Sequence, residues 1–93
     1  MAIVESALVV GCGSIGHRHL RLLLAGGLAG EVRGCEPDAA TRLQTGEEFP
    51  AVQMFSDYRE ALAAGPTAVV LCTPPNMHVD QALAALEAGC HVL

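Results

Sequence analysis

Short apolar runs alternate with stretches of helical periodicity along the whole chain. The first run, Ala7 to Gly11, is apolar at successive positions instead of every second one, as a strand covered on both faces must be. A helix is predicted from about Ser14 to Ala25, where Ile15, His19, Leu22 and Leu23 form a helical stripe and Gly26-Gly27 supply a stop. Glu31 to Glu36 reads as a second strand. Pro37 interrupts it, and Asp38 can cap a short helix beginning Ala39-Ala40-Thr41-Arg42-Leu43. Thr45 to Pro50 reads as loop. A third strand, Ala51 to Phe55, precedes Asp57-x-x-Glu60, a capping-box arrangement opening a helix that ends near Gly65-Pro66. Ala68 to Cys72 repeats the doubly covered strand and Thr73-Pro74-Pro75 breaks it. Asn76 then opens a helix whose Val79, Leu83 and Leu86 share one face before Gly89 ends it. His91 to Leu93 begins a fifth strand.

Strands alternating with crossover helices make an α/β protein. The predicted architecture is a Rossmann-type doubly wound parallel sheet of about five strands in the order 3-2-1-4-5. No internal repeat, low-complexity segment or charge block marks a linker. A sheet of this type usually has about six strands. A fifth strand of three residues would leave edge and face uncovered, so residues 1–93 read as the partial N-terminal domain of a longer protein.

Composition narrows the classes. With 52% hydrophobic and 16% charged residues the chain is globular, not disordered. Its 93 residues allow at most one domain, with a core worth on the order of a few kcal/mol. Ten acidic residues against five arginines, and no lysine, give a net charge of −5. That balance argues against a nucleic-acid surface or a polybasic membrane patch, and any catalytic lysine must lie outside this chain. No apolar run approaches the roughly 18 residues of a membrane span, and the N-terminus lacks the basic flank of a secretory signal, so a cytoplasmic location is expected. The four cysteines, at 12, 35, 72 and 90, form no C-x-x-C pair and read as buried reduced thiols. His17 and His19 lie two apart on a predicted helix and point to different faces, a poor metal-ligand spacing.

Gly11-Cys12-Gly13-Ser14-Ile15-Gly16 is a G-x-G-x-x-G sequence placed directly after a strand and at the opening of a helix. In that setting Gly11 permits the tight turn, Gly13 lacks the Cβ that would block a pyrophosphate, and Gly16 lets helix and strand approach. The unpaired amides of the first helical turn and its partial positive charge then face an anion. The competing reading is a packing turn with no ligand. Glu36 stands at the end of the second strand, where a carboxylate accepts from ribose hydroxyls and repels a 2′-phosphate, favouring NAD over NADP. It could instead be a solvated acid beside a turn, and Arg33 and Arg42 lie near enough in sequence to accommodate a phosphate, which keeps NADP possible. Cys72 to His78 follows the fourth strand at the switch point of the sheet. Thr73 could offer its hydroxyl and backbone to a cofactor, Asn76 could cap the next helix, and His78 could sit near a nicotinamide. The plainer reading makes Asn76 only a cap and His78 only a first-turn residue.

These residues together, Gly11 to Gly16, Arg18-His19, Glu36 and Thr73-Pro74-Pro75-Asn76-Met77-His78, resemble the nucleotide-binding half of the glucose-fructose oxidoreductase, inositol 2-dehydrogenase and rhizopine catabolism (Gfo/Idh/MocA) family, from about Ala7 to Leu93. The spacing of T-P-x-x-x-H from the glycines makes the likeness specific. It implies an NAD(P)-dependent oxidoreductase moving hydride between nicotinamide and a sugar, cyclitol or related polyol. By this likeness Gly11, Gly13, Ser14, Ile15 and Gly16 would cradle the pyrophosphate and Glu36 the ribose. Thr73, Pro74, Asn76 and His78 would line the adenine-to-nicotinamide side. The family's Glu-Lys-Pro motif would be expected after Leu93, and its C-terminal α/β domain beyond that. The resemblance therefore implies that this chain binds a dinucleotide weakly and catalyses nothing alone, and that the full-length protein is a homo-oligomer. Two other classes stay open from the residues: a non-catalytic module sensing redox state or binding coenzyme A, and a structural domain whose glycine turn is empty.

Overall fold

The computed structural model describes residues 3–93. Strands β1 (Val4–Val10), β2 (Ala29–Cys35), β3 (Gln53–Phe55), β4 (Ala68–Leu71) and β5 (His91–Val92) form one parallel sheet in the order β3-β2-β1-β4-β5. Helices α1 (Ser14–Gly26), α2 (Ala39–Glu48), α3 (Tyr58–Ala63) and α4 (His78–Glu87) provide the crossovers, with a 3-10 turn at Pro75–Met77 leading into α4. This is the predicted class and strand order. β1 is central: its last residue, Val10, pairs with Cys35 on one side and Leu71 on the other.

The continuous apolar run of β1 feeds two cores. Leu8 and Val10 point to the face covered by Ala61 of α3 and Ala85 of α4, together with Val69 and Cys90. Val9 points to the opposite face, against Leu20 of α1, Phe49 after α2, Val32 and Val52. Helices before the switch therefore cover one side and helices after it the other, which opens a crevice where the two sets part at the carboxyl end of β1 and β4.

Several boundaries differ from the sequence reading, each for a packing reason. α2 continues to Glu48 through the predicted loop, because Thr45 is fully buried, donates its hydroxyl to the Thr41 carbonyl at 2.7 Å, and lies next to the core residue Phe49. Tertiary burial overrides the poor helix propensity of Thr45 and Gly46. Ala51 and Val52 then form a turn, so β3 starts only at Gln53. The buried side of α1 is Gly16 and Leu20, with Leu23 of the predicted stripe half-buried against the same core, whereas Ile15 and Leu22 of that stripe remain 61% and 56% exposed. A glycine carries the closest contact of that helix, and hydropathy patterns do not count glycines. In α4, Val79, Leu83 and Leu86 do share a face, but it is the exposed one, while Ala85 is buried beneath. Asn76 lies inside the 3-10 turn; the N-cap of α4 is Met77, with no side-chain bond. Asp57 caps α3 by accepting from the Arg59 amide at 3.1 Å, and among the described residues Glu60 does not return the bond.

Terminal signals hold where glycine supplies them. Gly27 (φ 61°) and Gly89 (φ 85°) are left-handed just past α1 and α4, the conformation that ends helices at little cost for glycine. Asp38 caps α2 through the Thr41 amide at 2.9 Å and hydroxyl at 2.8 Å, and those two bonds lower the carboxyl pKa.

The shifted stripe of α1 predicts a contrast in stability. Leu20→Ala should destabilise by about 2–5 kcal/mol in urea unfolding, and Leu22→Ala by less than about 0.5 kcal/mol. Equal losses would return Leu22 to the core.

Candidate functional site

The turn after β1 needs its three glycines for three reasons. Gly11 is left-handed (φ 88°), and a Cβ there would lie 3.0 Å from the Cys72 carbonyl. At Gly16 a Cβ would come within 2.0 Å of the Gly11 carbonyl oxygen, so only glycine lets α1 start against its own turn. Gly13 borders open space, with no atom within 4 Å of a Cβ position, so that side of the turn is free for a ligand to approach the main chain. Its carbonyl accepts the first helical bond, from the His17 amide at 2.9 Å. The amides of Ser14, Ile15 and Gly16 precede that bond and find no acceptor among the described residues. Three unpaired donors at the positive end of a 13-residue helix form a ready anion site.

Two open clefts flank this turn and share Gly13 and Ser14. One, of about 430 Å³, runs between α1 and α2 past Cys12, His17, Thr41 and Gln44. The other, of about 330 Å³, runs past Ile15, Cys72, Thr73, Pro74 and Pro75. The glycine turn is therefore the saddle of an elongated groove, the shape a dinucleotide requires.

Glu36 is half-buried beside the turn. One carboxylate oxygen accepts from the Cys12 amide at 2.9 Å and the other from the Asp38 amide at 3.0 Å. Each carboxylate oxygen can accept more than one bond, so capacity for ribose hydroxyls is retained. Of the arginines that sequence proximity offered to a 2′-phosphate, Arg33 is bonded away from the turn, while Arg42 stays beside Glu36 and bonds its loop through Nη1. Arg42 donates to the Glu36 and Pro37 carbonyls at 2.8 and 3.2 Å, and Arg33 to Glu31 and the Ala64 carbonyl at 2.7 and 3.2 Å.

Beyond β4, Thr73 and Pro74 line the second cleft, but the surrounding polar groups are turned on one another. The Thr73 hydroxyl donates to the Gln81 side-chain oxygen, and His78 Nε2 donates to the Thr73 carbonyl. Tyr58 completes the set by donating to the Gln81 carbonyl at 2.6 Å. His78 thus holds the loop through Nε2, and Asn76 is exposed on the 3-10 turn. Sequence reasoning missed Gln81, Arg42 as a clamp, and His17, whose spacing of four residues from Gly13 was the available signal.

Cys12 and Cys72 each line one of the two clefts, and Cys35 and Cys90 lie in the core. Cys12 and Cys35 are buried; burial, helped by the Glu36 charge, pushes the Cys12 thiol up to about 12, and burial, helped by Asp57 and then Glu36, pushes Cys35 up to about 11. At pH 8 both thiols are held in the protonated, unreactive form. Iodoacetamide should therefore spare Cys12 and Cys35 in the folded chain and modify them in urea, as mass spectrometry would report. Because folding raises these thiols above the ordinary 9.0, unfolding is favoured as the pH climbs from about 9 toward 12. Urea midpoints measured at pH 8 and pH 10.5 should fall accordingly, and an unchanged midpoint would contradict their burial.

No helix among the described residues is long and apolar enough to cross a membrane. Comparison with known proteins agrees with the geometry. A family model described as an oxidoreductase family, NAD-binding Rossmann fold, matches residues 6–93. The chain is 34% identical over 85 residues to a 4-carboxy-2-hydroxymuconate-6-semialdehyde dehydrogenase of Sphingobium, covering 90% of this chain and 27% of that protein. It is 32% identical over 87 residues to an inositol 2-dehydrogenase of Corynebacterium glutamicum, covering 91% and 26%. Among solved structures, the WlbA dehydrogenase of Bordetella pertussis, in complex with NADH and UDP-GlcNAcA, superposes with a TM-score of 0.84 at 30% identity, over 99% of this chain and 28% of that one. The chain thus spans about a quarter of the length of these relatives. It belongs to the Gfo/Idh/MocA oxidoreductase family, of which residues 6–93 are an NAD-binding Rossmann domain.

Proposed function

We propose that this chain holds NAD for an oxidoreductase that transfers hydride between the nicotinamide and a sugar, cyclitol or related polyol. The observation that carries the reading is the saddle at Gly13 and Ser14, where the unpaired amides of Ser14, Ile15 and Gly16 meet a groove open on both sides. The pyrophosphate would rest there, on donors that need no reorganisation. Glu36 would accept from the adenosine ribose, and the Thr73-Pro74 wall would border the run toward the nicotinamide. Asn76 and His78 would serve this wall indirectly, through the 3-10 turn and the bond to Thr73.

Bound NAD would supply the hydride acceptor; the protein's share in this domain is to hold and orient it. The substrate class is supported by the relatives: one is named for inositol, and one solved structure contains a UDP-sugar. The Sphingobium protein is named for a semialdehyde, so the shared feature is an oxygen-bearing carbon that gains or loses hydride. Glu36 supports NAD over NADP, since its carboxylate would repel a 2′-phosphate and Arg33 is bonded to Glu31 and the Ala64 carbonyl.

Calorimetric titration with NADH tests the reading, and absence of binding by the folded chain would refute it. Gly13→Val should weaken NADH by about tenfold or more while the melting temperature holds, because the added atoms meet no protein neighbour but fill the approach to the amides. Glu36→Gln keeps an oxygen for the Cys12 amide while removing the charge. It should lower the preference for NADH over NADPH by about tenfold, the worth of one hydrogen bond to a charged group; an unchanged ratio would take Glu36 out of the ribose site.

A further inference from the structure

Gly13 has no steric neighbour on the groove side of the turn. It is exposed, it has no Cβ, and nothing would touch one, so sterics alone do not fix the plane of the peptide that joins it to Ser14. We propose that His17, itself held by Glu48, is a positioning residue that fixes the Gly13–Ser14 peptide with the Ser14 amide facing the groove.

The geometry is local. The Gly13 carbonyl receives two donors from one residue, the His17 amide at 2.9 Å and His17 Nδ1 at 2.9 Å. A carbonyl only accepts, so Nδ1 carries the proton of this contact. No peptide bond among the described residues is cis. In a trans peptide the N–H points opposite to the C=O, so drawing the Gly13 oxygen inward onto the ring turns the Ser14 N–H outward. Gly13 and Ser14 are the residues common to the two clefts, and the outward direction is where a diphosphate would lie.

The ring is held in its turn from α2. Nε2 lies 3.2 Å from Glu48 Oε2 and 3.5 Å from Thr45 Oγ1. The Thr45 proton is committed to the Thr41 carbonyl at 2.7 Å, so both groups facing Nε2 are acceptors, and they hold the ring when Nε2 as well as Nδ1 carries a proton. Arg21 fixes the other Glu48 oxygen at 2.9 Å and lies over the Phe49 ring, whose centroid is 5.6 Å from that of His17. With only 13% of its side chain exposed, His17 has little freedom to release the carbonyl. The last turn of α2 thereby sets the orientation of a peptide at the start of α1.

This inference rests on the proposed cofactor role, and the test separates the two. ¹H–¹⁵N NMR titrations of the chain with ADP and with adenosine compare the wild type with His17→Ala, His17→Gln and Glu48→Gln. His17→Ala should weaken ADP about tenfold while adenosine stays within about twofold, the loss expected when one charge-directed amide is no longer held in place. His17→Gln, whose amide can reach the same carbonyl, should recover most of that loss. Glu48→Gln should weaken ADP by about two- to fivefold, and it decides the matter if His17→Ala fails to fold. An ADP-to-adenosine affinity ratio that stays at the wild-type value in the folded variants overturns the positioning role alone. A folded wild-type chain that binds neither ADP nor NADH overturns the cofactor reading and this inference with it.

Discussion

The contact on which this molecule depends is the approach of Gly16 to the Gly11 carbonyl. An added Cβ would stand 2.0 Å from that oxygen, a separation no side chain can adopt, so the helix begins in contact with the turn that produced it. Three properties follow from one missing methyl group. The first-turn amides are brought to the lip of the central strand. The rotational phase of α1 is set so that Leu20, four residues on, falls into the core against Val9. Ile15 and Leu22 are then carried out to the surface. Packing and ligand geometry are not separable here, since the same close approach decides both.

The sequence carried most of the fold because its signals were of the kind physics makes short-ranged. Continuous apolar runs at 7–11 and 68–72 can only be strands covered twice, and the glycines at 27 and 89 end helices whatever surrounds them. The strand order followed from the alternation of strands and helices. What was illegible depended on contacts distant in sequence. Nothing near Thr45 reveals that it will be buried to 0% exposure, and without that α2 reads as ending before it. The periodicity of α4 groups Val79, Leu83 and Leu86 on one face but does not say which way it turns: the space over the sheet admits Ala85, and the larger residues face outward.

The candidate site was legible in its glycines and much less so in its side chains. The roles of Gly11 and Gly16 are steric and can be read from spacing. Glu36 and His78 are different, because each carries its polar atoms into bonds with main chain that no motif records. His17 was set aside because a pair of histidines two apart makes a poor metal site. The relevant distance was instead the four residues back to Gly13. A search for ligands overlooks side chains that serve the backbone.

That service recurs at three of the loops on the carboxyl edge of the sheet, and it suggests why the groove can be precise without being deep. After β1, His17 of α1 takes the Gly13 carbonyl; after β2, Arg42 of α2 takes the carbonyls of Glu36 and Pro37; after β4, His78 of α4 takes the carbonyl of Thr73. In each case a side chain from the following helix reaches back and captures an oxygen of the loop that precedes it. Four such bonds hold the loop backbones before any ligand arrives; where the next residue keeps an N–H, at Ser14 and Asp38, the captured carbonyl also turns that amide the other way, whereas after Glu36 and Thr73 a proline offers none. Orientation fixed in advance lowers the ordering cost of binding. In this chain the apolar core places the loops and the polar side chains of the helices aim them.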